Sequence, residues 1–226
     1  MSGTKHRFPR ITRAAHSQSL RHDVIRKGFL AAGALSSLLY VVATDGVAAA
    51  RRDGYRRTEQ MVSELFAVGS PGRDVLVPFT WLYTLLFAAF GLGVWNSTRG
   101  NRALRAAGGL LIGYGLWNIV GGLFPLTLGD QTSVPMHIAA TNIQLALMVA
   151  AMCFVAAGFH GRMRMYSIAS LALSAVLGMV AFMAAPGPNP ILGVGERVSI
   201  GAFLLCVAVL AAVLWKRPAV DGPSKG

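Results

Sequence analysis

The sequence predicts an all-α, polytopic membrane helix bundle with six transmembrane helices and a short amphipathic helix in the first outer loop. Of its 226 residues, 54% are hydrophobic and only 13% are charged, and the mean hydropathy is +0.54. A soluble domain carries about 25% charged residues, so this chain has too little polar surface to be solvated as a globule. Its apolar residues also fall into six runs of the roughly 20 residues that a bilayer core requires.

Each apolar run predicts one membrane-spanning helix. The six predicted spans cover residues 28–50, 75–97, 103–124, 135–159, 166–186 and 192–215. Helix-stopping residues separate them: GSPG at 69–72 precedes the second span, FP at 124–125 ends the third, and PGPNP at 186–190 divides the last two. The short gap between the second and third spans makes those two helices antiparallel neighbours.

The basic residues predict the orientation of the chain in the membrane. If the N-terminus is cytoplasmic, fifteen of the 21 lysines and arginines lie on the cytoplasmic side. We therefore expect a bacterial cytoplasmic membrane protein with both termini inside, a basic tail at 1–27, a membrane domain at 28–215 and a second tail at 216–226. The small residues VAAA at 47–50 after an apolar stretch also fit a cleaved signal peptide, and that alternative stays open.

Several function classes find no support in the sequence. The net charge of +12 does not predict nucleic-acid binding, because the basic residues lie in short flanks between apolar runs. Cys153 and Cys206 fall within apolar runs and form no disulfide framework. His137 and His160 lie about 35 Å apart on one helix, too far to share a haem. We predict no metal and no cofactor, and the absence of catalytic motifs favours a protein that is not an enzyme.

The acidic residues indicate which side carries any function. Seven of the nine lie at or beyond the outer ends of the predicted helices: Asp45, Asp53, Glu59, Glu64, Asp74, Asp130 and Glu196. A charge at the bilayer centre costs about 2.5–3.5 kcal/mol, and the predicted spans place none of these acids there. A proton pathway across the membrane is therefore not predicted, and we expect any chemistry at the outer side.

The segment MVSELFAVGSPG at 61–72 lies in the first outer loop. From Thr58 onward its apolar residues share one helical face, which predicts an amphipathic helix over 58–69 at the outer ends of the bundle. Two interpretations of Glu64 stay open. It faces water beside the headgroups, or it turns inward under a lid and pairs with Arg197 or His137.

The fourth span carries a polar stripe. His137, Thr141 and Gln144 follow at i, i+4 and i+7, with Asn142 on a neighbouring face. Polar side chains are costly in lipid, so the stripe is expected to face other helices or a wet cavity. Structural hydrogen bonds between helices and a ligand pocket are both consistent with it.

The sixth span begins with an acid and a base, Glu196 and Arg197. A carboxylate is favourable near a helix N-terminus, whereas a guanidinium opposes the helix dipole. Arg197 therefore indicates a specific anionic partner, and a structural salt bridge is the preferred interpretation. The candidate partners are Glu64, Asp45, Asp130 and the carboxylate or phosphate of a ligand.

Together these segments resemble a large bacterial family of uncharacterised six-helix membrane proteins, known only as a domain of unknown function. The matching elements are SELFAVGSPG at 63–72, GLFP at 122–125 with the downstream Asp130, His137 opening the fourth span, and GERVSIG at 195–201. The resemblance covers roughly residues 28–215 and implies no reaction. It implies an outer cluster formed by Ser63, Glu64, Pro125, Asp130, His137, Glu196 and Arg197.

Three hypotheses for function follow. In the first, an outward-facing pocket binds a small amphiphile or lipid headgroup, with Arg197 on the anionic group and Glu64 and His137 as hydrogen-bonding or acid–base residues. The remaining ligand-binding candidates are Ser63, Asp130, Thr141, Gln144 and Glu196. In the second, the cluster is structural and the protein is a non-catalytic assembly partner in the cell envelope. A small transporter ranks last, because the polar residues do not continue into the cytoplasmic half. The lipid bilayer is the partner common to all three, and the oligomeric state is left open.

Overall fold

A computed structural model describes residues 13–184 and 189–217 of the chain. These residues form seven α-helices and no named strand, and six of the helices are long and apolar enough to cross a membrane. The predicted fold class is confirmed, and the protein is a multi-pass membrane protein. The helices are α1 Arg13–Val41, α2 Ser63–Phe66, α3 Arg73–Ser97, α4 Arg102–Gly121, α5 Val134–Gly158, α6 Gly161–Ala184 and α7 Pro190–Trp215. The first twelve residues, the last nine and most of the predicted PGPNP break lie outside the described part.

The six long helices form a closed ring. Each packs on its neighbour in the order α1, α3, α4, α5, α6 and α7, and α7 packs back on α1. Aromatic side chains fill the middle of the ring around Phe87, which is fully buried. Its ring centroid lies 4.8 Å from that of Tyr114 on α4, 5.3 Å from Tyr83 and 5.8 Å from Phe203 on α7. The centre is therefore packed with side chains and is not a polar channel.

The first helix is longer than predicted. It begins at Arg13, so residues 13–27 are helical and continue into the first predicted span. Asp23 pairs with both Arg26 and Lys27 one turn later, which stabilises this extension. At its other end α1 continues as a π-helix, Val42–Ala48, and one 3₁₀ turn, Ala49–Arg51.

Arg26 joins the beginning of the chain to its end. The side chain is buried and donates from Nη1 to the carbonyl of Leu214 and from Nη2 to that of Arg217, both at 3.0 Å. The first part of α1 and the last turn of α7 therefore lie at the same end of the bundle, here called the Arg26 end. The opposite end, with the loops after α1 and α4 and the start of α7, is called the Arg197 end. Which of the two faces the cytoplasm stays a prediction.

The amphipathic helix of the first loop is shorter than predicted. Instead of a helix over 58–69, the structure has a single turn, Ser63–Phe66, that ends before Gly69 at φ +89°. The reason lies in the preceding carbonyls: those of Arg57 and Gln60 accept hydrogen bonds from a side chain of α7. Leu65 is nonetheless fully buried, so the turn is anchored in the bundle.

Glycines allow α3 and α4 to touch through their backbones. A Cβ atom added to Gly108 would lie 2.8 Å from the backbone nitrogen of Trp95 and 2.9 Å from the carbonyl oxygen of Gly91. Small residues at helix contacts are the usual route to close packing in membranes.

We predict that Gly108→Ala pushes α3 and α4 apart and lowers the free energy of unfolding by about 1–3 kcal/mol. Gly113→Ala is the matched control on the same helix, because its Cβ would meet only a side-chain atom at 3.9 Å. Thermal unfolding of both variants in detergent measures the difference. Equal melting temperatures would refute the close backbone contact.

Candidate functional site

Arg197 forms the centre of a polar network at the Arg197 end. It lies in the second turn of α7, and its Nε donates to Oδ1 of Asp45 at 2.8 Å. Its Nη2 donates to the phenolic oxygen of Tyr55 at 2.7 Å, and its guanidinium carbon lies 5.7 Å from the Tyr55 ring centroid. Of the acidic partners predicted for Arg197, the structure selects Asp45.

The remaining nitrogen of Arg197 binds backbone carbonyls. Nη1 lies 2.5 Å from the oxygen of Arg57, 3.0 Å from that of Gln60 and 3.1 Å from that of Gly193. All three guanidinium nitrogens therefore donate to acceptors of the protein itself. We call Arg197, Asp45, Tyr55 and these carbonyls the Arg197 clamp, because they fix the first loop to the start of α7.

The π-helix at the end of α1 determines how Asp45 enters the clamp. Its carboxylate accepts from Arg197, while its backbone carbonyl accepts from Nη2 of Arg57 at 2.7 Å. A π-helix shifts its side chains out of the ordinary α-helical register, and such turns are frequent at functional sites. One residue thus contacts two arginines with two different groups.

Glu196 fixes the entry to α2. Its Oε2 accepts from the backbone N–H of Val62 at 2.5 Å, just before the turn Ser63–Phe66. Val62 is itself buried, so the N–H needs a partner inside the protein. Glu196 and its neighbour Arg197 therefore hold the same loop, one by accepting and the other by donating.

Glu64 belongs to an adjacent network within the loop. Its Oε2 lies 3.2 Å from Nη2 of Arg52 and accepts from Nε2 of Gln60 at 3.1 Å, while its Oε1 accepts from the backbone N–H of Met61. Neither predicted pairing, with Arg197 or with His137, is present. The Ser63 hydroxyl contacts only the sulfur of Met61, at 3.7 Å, among the described residues.

Asp130 and His137 form a separate group around the loop between α4 and α5. Asp130 Oδ1 accepts from the hydroxyl of Thr132 at 2.7 Å and from its N–H at 2.9 Å, and the hydroxyl bond lowers the pKa of Asp130 below its usual value. His137 Nδ1 lies 3.1 Å from the carbonyl oxygen of Phe124. A carbonyl only accepts, so Nδ1 carries the hydrogen of this bond.

The residues of the polar stripe on α5 have different surroundings. The Gln144 amide donates to Oδ1 of Asn118 at 2.7 Å, and His137 bonds the end of α4, so these two join neighbouring elements. Thr141 is exposed on the outside of the bundle. Two residues of the predicted stripe therefore make contacts between neighbouring elements, and the third faces outward.

A short bridge joins the two loops that carry the predicted cluster. Val68 donates to the carbonyl of Leu126 at 2.8 Å, and Leu128 donates to that of Val68 at 3.1 Å. Among the described residues, however, no hydrogen bond or ion pair joins Asp130 or His137 to the Arg197 clamp. The predicted cluster is thus two polar groups with a backbone contact between their loops.

The best-defined cavities of the bundle are small. The larger of the two best-defined ones holds about 30 Å³ beneath the clamp and is lined by Tyr40, Val41, Asp45, Val62, Arg197, Ile200, Gly201 and Leu204. That is room for about one water molecule. Among residues 13–184 and 189–217, no group of three or more His, Cys, Asp or Glu residues is arranged to hold a metal ion.

The sequence between residues 34 and 213 matches a family model described as "Protein of unknown function (DUF998)". The match covers well over half of the chain. The chain belongs to this family. The resemblance that the sequence motifs indicated over roughly 28–215 is thereby confirmed. No curated protein and no solved structure matches this DUF998 protein.

Sequence reasoning missed two residues of the DUF998 site. Tyr55 lies under the guanidinium groups of Arg52 and Arg197 and donates its hydroxyl hydrogen to the carbonyl of Met61 at 2.8 Å. In the sequence, Tyr55 could have been noticed as an aromatic residue among four arginines of one loop. Arg52, the partner of Glu64, was counted only as part of the positive charge.

We predict that Arg197→Ala lowers the free energy of unfolding of the DUF998 protein by about 1–3 kcal/mol, because it leaves the Asp45 carboxylate and the carbonyls of Arg57 and Gln60 without their donor. The freed loop is also expected to be cut faster by trypsin. Denaturant unfolding in detergent and limited proteolysis measure the two effects.

Arg56→Ala is the control for that experiment. Arg56 pairs with Glu59 in the same loop, but its side chain is 66% exposed, so its loss should change stability by less than about 0.5 kcal/mol. If both variants behave alike, the clamp does not hold the loop.

The clamp also predicts a response to alkaline pH. Burial raises the pKa of Tyr55 above its ordinary value of 10.0, although the neighbouring Arg197 opposes the shift. The folded state therefore prefers the neutral phenol of Tyr55. The stability that this phenol gives the fold is fully present below pH 10 and is lost as the pH rises through the folded-state pKa.

We predict that Tyr55→Phe lowers the free energy of unfolding by about 1 kcal/mol at neutral pH and that this difference shrinks above pH 10. Thermal unfolding of both proteins from pH 7 to 11 tests this, and a constant difference would contradict it.

Proposed function

We propose that the protein is a non-catalytic assembly partner in the cell envelope, and that its polar clusters are structural. The observation that carries this proposal is the saturation of Arg197. All three of its nitrogens donate within the chain, so an anionic ligand would first have to displace Asp45 or a loop carbonyl. A lipid headgroup that binds Arg197 would have to displace one of these acceptors. It would also need more space than the cavity of about 30 Å³ beneath the clamp.

The Arg197 end has the features of a preformed docking surface. Buried Val62 and Leu65 anchor the first loop from below, and the clamp fixes it from the side. On top, Arg51, Arg56 and Arg57 are exposed. A rigid surface loses little conformational entropy on binding, and its guanidinium groups suit a partner segment rich in carboxylates.

The surface is assigned to the outer face of a bacterial cytoplasmic membrane on the strength of the charge distribution. Basic residues concentrate at the Arg26 end, which the positive-inside tendency assigns to the cytoplasm. The partner would then be an extracytoplasmic protein, or the extracytoplasmic loop of another membrane protein. Transport is not favoured, because aromatic side chains occupy the centre of the ring.

Native mass spectrometry of the protein, gently extracted from its own membrane, tests the proposal. We predict a complex with a second polypeptide that Arg56→Glu reduces at least tenfold. Arg162→Glu, an exposed arginine at the Arg26 end, is the matched control and should keep the complex.

Two outcomes would contradict this function. The first is a mass spectrum in which no sample contains a second polypeptide bound to the chain. A stoichiometric small-molecule mass that Arg197→Lys releases from a folded protein would instead support an amphiphile site. Thermal unfolding of each variant shows that the fold persists.

A further inference from the structure

We infer that the protein forms a parallel homodimer in the membrane through the lipid-facing side of α5, centred on Asn142. This inference goes beyond the proposed function, because it concerns the side of the bundle and not its Arg197 end. It starts from a polar side chain that the fold leaves exposed. Asn142 lies on the outside of the ring, and its amide makes no hydrogen bond within the described residues.

The depth of Asn142 makes this exposure significant. The membrane-spanning stretch Gln131–Gly158 has 28 residues, so at 1.5 Å per residue Asn142 lies about 4 Å from its middle. Water does not reach the centre of the bilayer core, and lipid tails offer no hydrogen-bonding groups. The Asn142 amide therefore requires a polar partner from another protein surface.

The neighbouring polar residues of α5 do not have this need. The Gln144 amide is bonded to Asn118, and His137 to the carbonyl of Phe124. The Thr141 hydroxyl is exposed beside Asn142 and adds a second polar group to the same side. By contrast, the exposed side chains of α6 that follow Arg164 are apolar among the described residues, as in Met165, Leu173 and Val176, so lipid suits that part of the helix.

A second copy of this chain is the partner that the chemistry of Asn142 fits. A primary amide both donates and accepts, so two asparagines satisfy each other. Copies inserted in the same orientation are related by a twofold axis along the membrane normal, which sets α5 parallel to its counterpart and places each residue near the axis opposite itself. Asn142 then meets Asn142 of the second copy, and a single buried asparagine of this kind fixes helix register.

The surface around Asn142 permits a close approach of the two helices. Ala139, Ala146 and Cys153 follow one another at seven-residue intervals, lie on the same stripe as Asn142, and are all exposed. Small side chains at this spacing let two helix backbones come together, which brings the amides within hydrogen-bonding distance.

The same stripe supplies a natural probe of the interface. Cys153 lies eleven residues beyond Asn142, about 16 Å along the helix, so the two copies present their Cys153 thiols to each other. Cys206 is buried inside the bundle and is not available for cross-linking. Oxidation by copper–phenanthroline in the native membrane joins the thiols as a disulfide. Two protons are released and the copper complex takes the two electrons.

We predict that this treatment of the 226-residue chain gives a band at twice its mass of 23.9 kDa on a non-reducing gel. Cys153→Ser should reduce the band at least tenfold, whereas Cys206→Ser should leave it unchanged. Asn142→Leu should lower the cross-linked fraction several-fold at low expression, and Asn142→Gln should restore much of it.

A matched control separates a dimer from random collisions. Met165→Cys in the Cys153→Ser background places an exposed thiol at a similar depth on α6. Equal cross-linking of this variant would overturn the inference, and so would the absence of a band. A product containing a different polypeptide would also overturn it and would assign the α5 surface to another membrane helix. Melting temperatures close to the wild type confirm that the variants are folded.

Discussion

The ion pair between Arg197 and Asp45 is the contact on which the arrangement of this DUF998 protein depends. It joins the end of the first long helix to the start of the last one, across 152 residues of sequence. Because Arg197 also holds two carbonyls of the first loop, the same side chain closes the helix ring and shapes the surface above it. Arg26 makes the corresponding closure at the other end by binding the carbonyls of Leu214 in α7 and of Arg217 just after it.

Polar contacts have this role because apolar burial cannot supply it in a membrane. Lipid tails are as apolar as leucine, so a helix gains little from exchanging lipid for another apolar helix. Close contacts between glycines and hydrogen bonds between helices then decide which helices are neighbours. The Gly91–Gly108 contact, the Gln144–Asn118 bond and the two arginine closures each lie between elements that adjoin in the ring. These contacts join three of the six neighbouring pairs in the ring, α3 with α4, α4 with α5, and α7 with α1.

The sequence was sufficient for the fold but not for the site. Hydropathy and helix-stopping residues predict the six spans, since each property is local. The sequence limited the candidate partners of Arg197 to three acids and a ligand anion. The choice of Asp45 depends on a π-helix that no local sequence pattern indicates. Glu64 had two interpretations, one facing water and one pairing with Arg197 or His137, but it pairs with Arg52 inside its own loop. The predicted helix over 58–69 failed for a related reason: its carbonyls bind a side chain from the far end of the chain.

The separation of Asp45 from Arg197 has a consequence for how the protein is made. A ribosome that adds about 5–20 residues per second needs roughly 8–30 s to progress from one residue to the other. Throughout that interval the carboxylate stands at the membrane surface without its guanidinium, and the first loop lacks the donor that holds it. Insertion of the last helix is therefore the step that commits the chain to its final form. Until then, the first loop lacks the contacts that the clamp provides.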